Sequence, residues 1–328
     1  MATGLDPFPF QVAFHQRDRI PTHTLSAPTG LGKTECLVVD WLYGILYDFE
    51  NTPIRLVFCL PMRSLTHQTR QRVEAIVKRL DRPEITIHSL VGGTGTAMDR
   101  DWLDAIDRPC IILGTQDQIL SRQLFRGYAC SRWEWVIHGA LLNNDVRVVM
   151  DETQLMGVGY LSAILLQQQR LEKGCYGRSE LILCSATLDV APIPRTLKYG
   201  ECKISQADYQ HPIASQKLGM HKRLHRVEIG VDEVAEMAQV VVEQHIAGAL
   251  SLCIVNRVQD CIEGAIGFSL LRSCEDFGGL WWRLRWLRRG LIWMRDRCLR
   301  WLVLGRVLFS AVAEPGEMVL MRNVMCLC

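Results

Sequence analysis

The chain has 328 residues, an apolar fraction of 48% and a formal net charge of +2. That length predicts about two domains, and a charge so near balance excludes a global basic field, so any nucleic-acid surface has to be local. No apolar run reaches the roughly 18 residues of a membrane span, and "MATGLDPFPFQ" lacks the pattern of a signal peptide.

In chain order, short apolar runs alternate with longer helical patterns. The expected strands are Thr24–Ala27, Ile54–Leu60, Ile85–Val91, Cys110–Gly114, Val146–Met150 and Leu181–Ser185. Most are Val-, Ile- and Leu-rich without polar alternation, as strands buried on both faces are. The expected helices between them are Glu35–Phe49, Leu65–Leu80, Gln116–Phe125 and Tyr160–Lys173. Strand–helix alternation predicts an α/β domain with a parallel sheet over residues 1–215.

A basic run, "KLGMHKRLHR", reads as a linker. After it come an expected strand (Val227–Gly230), a helix (Val231–Ala247), a strand (Leu250–Val255) and the start of a helix (Val258–Glu263), so residues 216–263 read as linker plus the opening of a second α/β domain. Residues 264–328 differ sharply: ten Arg, five Trp and twelve Leu, with no Lys, His, Gln, Thr or Tyr. Two readings stand: a basic aromatic surface for strands or membrane, or an aberrant, irregular tail. Arg, Trp, Gly, Leu and Cys share G/C-rich codons, so an out-of-frame segment is the expectation.

The thirteen cysteines form no Cys-x-x-Cys pair. They read as small buried hydrophobes in a reducing cytoplasm rather than zinc or disulfide sites.

"SAPTGLGKT", Ser26 to Thr34, joins an expected strand to an expected helix. Backbone N–H groups from Thr29 through Thr34 can face a phosphate, because Gly30 and Gly32 permit a tight turn and close approach. The following helix adds its positive end. Lys33 would reach the β- and γ-phosphates of ATP and Thr34 would ligate Mg²⁺. Ala27 stands where such loops usually begin with Gly. A partner carboxylate comes from "VRVVMDETQLMG": Asp151 would hold Mg²⁺, and Glu152 would orient or deprotonate the attacking water. In "CSATL", Ser185 and Thr187 follow another apolar strand and could hydrogen-bond to that acidic turn. Any NTPase could use these parts.

The order narrows the choice. "APTGLGKT", "LPMRSLTHQT", "GTQDQILSRQL", "DETQ" and "SAT" resemble the motif series of superfamily 2 helicases. The run from "IILGTQDQILSRQLFRGY" to "DETQLMG" resembles the helicases of type I CRISPR systems, in particular subtype G (formerly U), and the likeness extends over residues 7–263. It implies a RecA-like ATP-binding domain followed by a second RecA-like domain. It implies Gln11 as the adenine reader, with Gln16 as a spare. It implies Arg63, Ser64 and Thr66, then Thr115 and Gln116, as contacts to a single DNA strand, with Arg122 and Arg126 weaker candidates. Asn256 and Arg257 match the first motif of the second domain. Gln154 stands where many relatives carry His, which should alter how the acidic turn couples to that domain. A target-bound CRISPR complex is the implied partner, with translocation 3′ to 5′.

Two of the family's features are missing. There is no Gln-x-x-Gly-Arg-x-x-Arg pattern and no His-Asp dipeptide. The expectation is a chain that does not cleave DNA and is incomplete for coupling ATP hydrolysis to movement. A non-catalytic ATP- and nucleic-acid-binding module is the alternative reading.

Overall fold

Seven strands form one wholly parallel sheet: β1 (Thr22–Ser26), β2 (Arg55–Leu60), β3 (Thr86–Leu90), β4 (Cys110–Thr115), β5 (Val146–Met150), β6 (Ser179–Ser185) and β7 (Gly200–Lys203). Their spatial order is β3-β4-β2-β5-β6-β1-β7. The computed structural model describes residues 4, 6–92, 101–103, 106–128, 130–186, 193–194 and 196–219, and the backbone of seven later strands.

Among the described residues eight α-helices accompany the sheet: α1 (Pro9–His15), α2 (Lys33–Tyr47), α3 (Arg63–Arg79), α4 (Gln116–Gln123), α5 (Arg132–Asn143), α6 (Gly159–Lys173), α7 (Gln206–Gln210) and α8 (Pro212–Leu218). The strands expected from sequence appear within a few residues of their expected ends. Helices α1, α5, α7 and α8 and strand β7 are additions. Burial explains the strand composition. In β2, Leu56, Phe58 and Leu60 point to one core with Phe10, Leu37, Trp41 and Val73. Val57 and Cys59 point to the other, with Ile119, Leu142 and Ile164. A strand with both faces covered has no polar side, so it shows no alternation. Helices α1, α2 and α3 therefore cover one face, and α4, α5 and α6 the other.

The N-terminal helix is fastened by a distant carboxylate. Asp208 on α7 is fully buried; its Oδ1 accepts the Phe10 N–H at 2.9 Å and its Oδ2 accepts from Ser205 N and Oγ at 2.8 and 3.0 Å. Below the sheet's far end lies an ion cluster. Arg147 on β5 bonds Asp40 of α2 at 2.8 Å and Glu180 of β6 at 2.6 Å, and Arg17 and His15 also reach Asp40.

The chain divides into two compact units, Met1–Leu218 and Gly219–Cys328. The basic run expected as linker is partly ordered structure: its first two residues end α8, and its last four belong to β8 (Arg223–Val227). In the second unit, the strand expected at 227–230 is thus found earlier, and that at 250–255 is β9 (Ser251–Val255). The expected helices at 231–247 and 258–263 lie outside the described residues. Within 264–328 fall β10 (Leu284–Leu287), β11 (Leu291–Met294), β12 (Leu299–Val303), β13 (Glu317–Met321) and β14 (Val324–Leu327). They join β8 and β9 in a mixed sheet of order β10-β11-β12-β9-β14-β13-β8.

Candidate nucleotide and strand-binding site

Because every strand of the first sheet runs the same way, five motif segments emerge at one edge. Ser26 pairs in register with Ser185, Cys59 with Met150, and Leu60 with Thr115. The loop after β1, the α3 start after β2, the α4 start after β4, the acidic turn after β5 and Ser185 ending β6 therefore share the carboxyl end of the sheet, where α/β sheets bind ligands.

The phosphate-type loop has the backbone its glycines permit. Gly30 and Gly32 lie at φ +83° and +76°, and Gly32 is the N-cap of α2. Thr29 is half-buried and Gly30 exposed. Lys33 and Thr34 are each only 6% exposed. Lys33 Nζ donates to the Ala27 carbonyl at 2.8 Å and stands 3.7 Å from Glu152 Oε1. Gln11 reaches the same loop, its amide donating to Gly32 O at 3.0 Å and its Oε1 accepting the Phe8 N–H at 2.9 Å. Gln16, the spare candidate, is exposed at the end of α1.

Asp151 is buried beside Glu152. Burial first, and the neighbouring Glu152 charge second, push its carboxyl up to about 6 against the pull of Lys33. Two adjacent carboxylates with one lysine leave negative charge in excess. A divalent cation fits that donor set, with Thr34 across the loop. Among the described residues no cluster of three or more His, Cys, Asp or Glu forms a metal cage. Few protein ligands plus phosphate oxygens is the usual arrangement for Mg²⁺.

Glu152 is a non-glycine residue at φ +58°. From that strained backbone its Oε2 accepts from Gln154 Nε2 at 2.6 Å, and Gln154 Oε1 accepts from Ser185 Oγ at 2.6 Å. Thr153 Oγ1 donates to Cys184 O at 3.2 Å. The acidic turn is thus wired to the end of β6 through Gln154. Thr187 lies outside the described residues.

The strand-binding candidates divide. Arg63 is exposed and Ser64 half-buried at the start of α3. Thr66 is turned inward: it is 1% exposed and its Oγ1 donates back to Met62 O at 3.1 Å. Its hydroxyl holds the first turn of the helix instead of facing a strand. Thr115, ending β4, is the N-cap residue of α4 without a side-chain capping bond. Gln116 Oε1 is buried without a hydrogen-bond partner among the described residues, and a Cβ on Gly159 would come within 2.5 Å of it. Arg122, a weaker strand-binding candidate, is fully buried, donating to Gln118 O at 2.8 Å and Tyr128 O at 3.3 Å. It staples the chain after α4. Arg126 is exposed over the Trp135 ring. Asn256 and Arg257 lie outside the described residues.

Beside the loop opens a cavity of about 650 Å³, lined among others by Phe8, Gln11, Gly30, Gly32, Glu35 and Lys217. Its size suits a nucleoside. Sequence reasoning missed two of its features. Glu35 pairs with Arg72 of α3 at 2.7 Å, and Lys217 Nζ donates to Gly30 O at 2.8 Å. Neither has a local sequence signal, since each spans distant segments.

The sequence matches the DEAD/DEAH box helicase family over residues 11–194, more than half of the chain. The chain belongs to the DEAD/DEAH box helicase family. No curated protein matches it. Among solved helicases, the DUF1998 helicase MrfA bound to DNA is 15% identical with a TM-score of 0.52, covering 80% of this chain and 42% of that one. Mss116p bound to ssRNA and AMP-PNP is 16% identical with a TM-score of 0.55, covering 81% and 53%. S. cerevisiae Dbp5 bound to RNA and ADP BeF3 is 15% identical with a TM-score of 0.50, covering 83% and 62%. At such identity the likeness is one of fold. This DEAD/DEAH box chain spans less than two thirds of each of those helicases. No helix among its described residues is long and apolar enough to cross a membrane.

Proposed function

We propose that the chain binds Mg-ATP at the β1–α2 loop and uses it to grip and move a single DNA strand across the starts of α3 and α4. The observation that carries this reading is the Lys33–Glu152 approach at 3.7 Å, which joins loop and acidic turn in one cleft. With ATP bound, Lys33 would exchange Ala27 O for the β- and γ-phosphates. Thr34 and Asp151 would hold Mg²⁺, which neutralises phosphate charge. Glu152 would orient the attacking water. Gln154 and Ser185 would carry the change at Glu152 to β6, and Thr187 is proposed for the same relay. Thr29, Gly30 and Gly32 supply the cradle, and Gln11 reads the base.

Arg63, Ser64, Thr115 and Gln116 would hold phosphodiester backbone, giving salt-sensitive binding without sequence preference. The resemblance of residues 7–263 to type I CRISPR helicases supports single-stranded DNA as the substrate and a target-bound CRISPR complex as the recruiting partner. It also supports residues 1–215 as a first motor domain and 216–263 as a linker with the beginning of a second. A second reading, a binding module with negligible turnover, is favoured by one observation: the sequence lacks the late arginine motif that would stabilise the transferring phosphoryl group, an effect of about 10³–10⁵ in rate.

DNA-stimulated ATP hydrolysis by the 328-residue chain separates the two. The wild type should bind a fluorescent ATP analogue and Lys33→Ala should not. Equal binding by both would remove the ATP site itself. Robust turnover would exclude the binding module.

A further inference from the structure

Lys217 has no part in the motif series, yet its amine reaches the phosphate-type loop from 187 residues away, donating to Gly30 O at 2.8 Å. It is exposed, and with Ile213, one turn earlier on α8, it lines the cavity that Gln11, Gly30 and Gly32 also line. The peptide from Gly30 to Leu31 is trans. In a trans peptide the carbonyl and the following N–H point opposite ways. Fixing Gly30 O toward α8 therefore fixes the Leu31 N–H away from α8, and that N–H is one of the Thr29–Thr34 group expected to face phosphate. Gly30 sits at φ +83°, where glycine alone is unstrained and where the loop has its greatest freedom to flip. An ammonium clamped on this carbonyl removes that freedom. It also places a positive charge at the mouth of a site for a polyanion.

We infer that Lys217 is a positioning residue for nucleotide binding, holding the Gly30–Leu31 peptide in its phosphate-accepting orientation. The inference rests on the ATP-site reading above. It also has a consequence for the chain's layout: Lys217 stands one residue before Leu218, the last residue of the first unit.

The test uses the full chain and titrates the fluorescent analogues mant-ATP and mant-ADP. Lys217→Met should weaken both about 3- to 10-fold, the range of one charge-assisted hydrogen bond partly screened by water. Lys217→Gln should behave likewise, because it keeps length but not charge, and Lys217→Arg should restore most of the affinity. Because Lys217 is exposed, the thermal midpoints of all three variants should match the wild type. A merely structural role would move the midpoint and leave the affinities alone. Wild-type affinity in Lys217→Met, or loss in Lys217→Arg equal to that in Lys217→Met, would overturn the inference. Lys33→Ala runs alongside. If it too binds like the wild type, the ATP-site reading has failed. If it loses binding while Lys217→Met does not, only the Lys217 inference has failed.

Discussion

Glu152 does two jobs from one strained position. Its backbone lies at φ +58°, which costs a non-glycine residue of order 1 kcal/mol or more. The strain aims one oxygen at Lys33 and the other at Gln154. Glu152→Gln keeps the shape and loses the carboxylate proposed to orient the attacking water. It should bind mant-ATP within about threefold of the wild type, with any DNA-stimulated turnover lowered by about 10²-fold or more. Gln154→Ala cuts the bridge to Ser185 while leaving the carboxylate in place. Its expected signature is normal ATP binding with a weakened effect of DNA on turnover, read from ATPase rates with and without single strands. Gly32 is constrained twice: a Cβ would stand 3.0 Å from Gln11 Nε2, and φ is +76°. Gly32→Ala should therefore lower both the thermal midpoint and ATP affinity.

At the scale of elements, α1 and α2 owe their places to buried charge. Asp40 on α2 would be pushed upward by burial, but Arg147, Arg17 and the His15 hydrogen bond outweigh that and hold its carboxyl below the usual range. Asp40→Ala leaves the Arg147 guanidinium with one partner in a buried site. Removing one member of such a cluster costs about 3–5 kcal/mol, to be read from denaturant midpoints. Asp208 ties α1 to the start of α7, accepting from Phe10 N on one oxygen and from Ser205 on the other. Asp208→Ala strands the Phe10 N–H and frees the helix that carries Gln11, so ATP affinity should fall while the main sheet stays folded. Amide hydrogen exchange confined to α1 and α7 would mark that local release.

At the scale of the whole molecule, burial of His23 makes the stability of the first unit depend on pH. Burial first, then Arg17, pull His23 down to about 4 from an ordinary value near 6.5. Between those two values the unfolded chain binds more protons at this position than the folded one. Stability from neutral His23 is therefore complete above pH ~6.5 and is lost as pH falls toward 4, at about 1.4 kcal/mol per unit. His23→Gln removes this slope. The difference in denaturant midpoint between the two proteins should change across that window and level off above it; parallel curves would show that His23 does not contribute.

Local chemistry set much of this design in advance. Unbroken apolar runs meant strands covered on both faces, and strand–helix alternation meant a parallel sheet. A parallel sheet delivers every strand's carboxyl end to one edge, so Lys33, Asp151, Glu152 and Ser185 were legible as one site from their order alone. Gln154 was legible as a departure from relatives, but not as the bridge between Glu152 and Ser185. Thr66 and Arg122 show the limit. The family resemblance offered both as strand contacts, but a motif carries no information about which way a side chain turns when a carbonyl one turn back, or a loop closing over it, offers a better partner. Asp208 and Lys217 were out of reach for another reason. Each acts on a segment nearly two hundred residues away, and no periodicity or motif encodes a contact made only when the chain returns. The sequence alone determined the fold class and the residues that meet at the sheet's edge, because those follow from local pattern and strand direction. Only the tertiary structure decided which side chains face that cleft and what holds them there, because burial and long-range hydrogen bonds exist only once the sheet has closed.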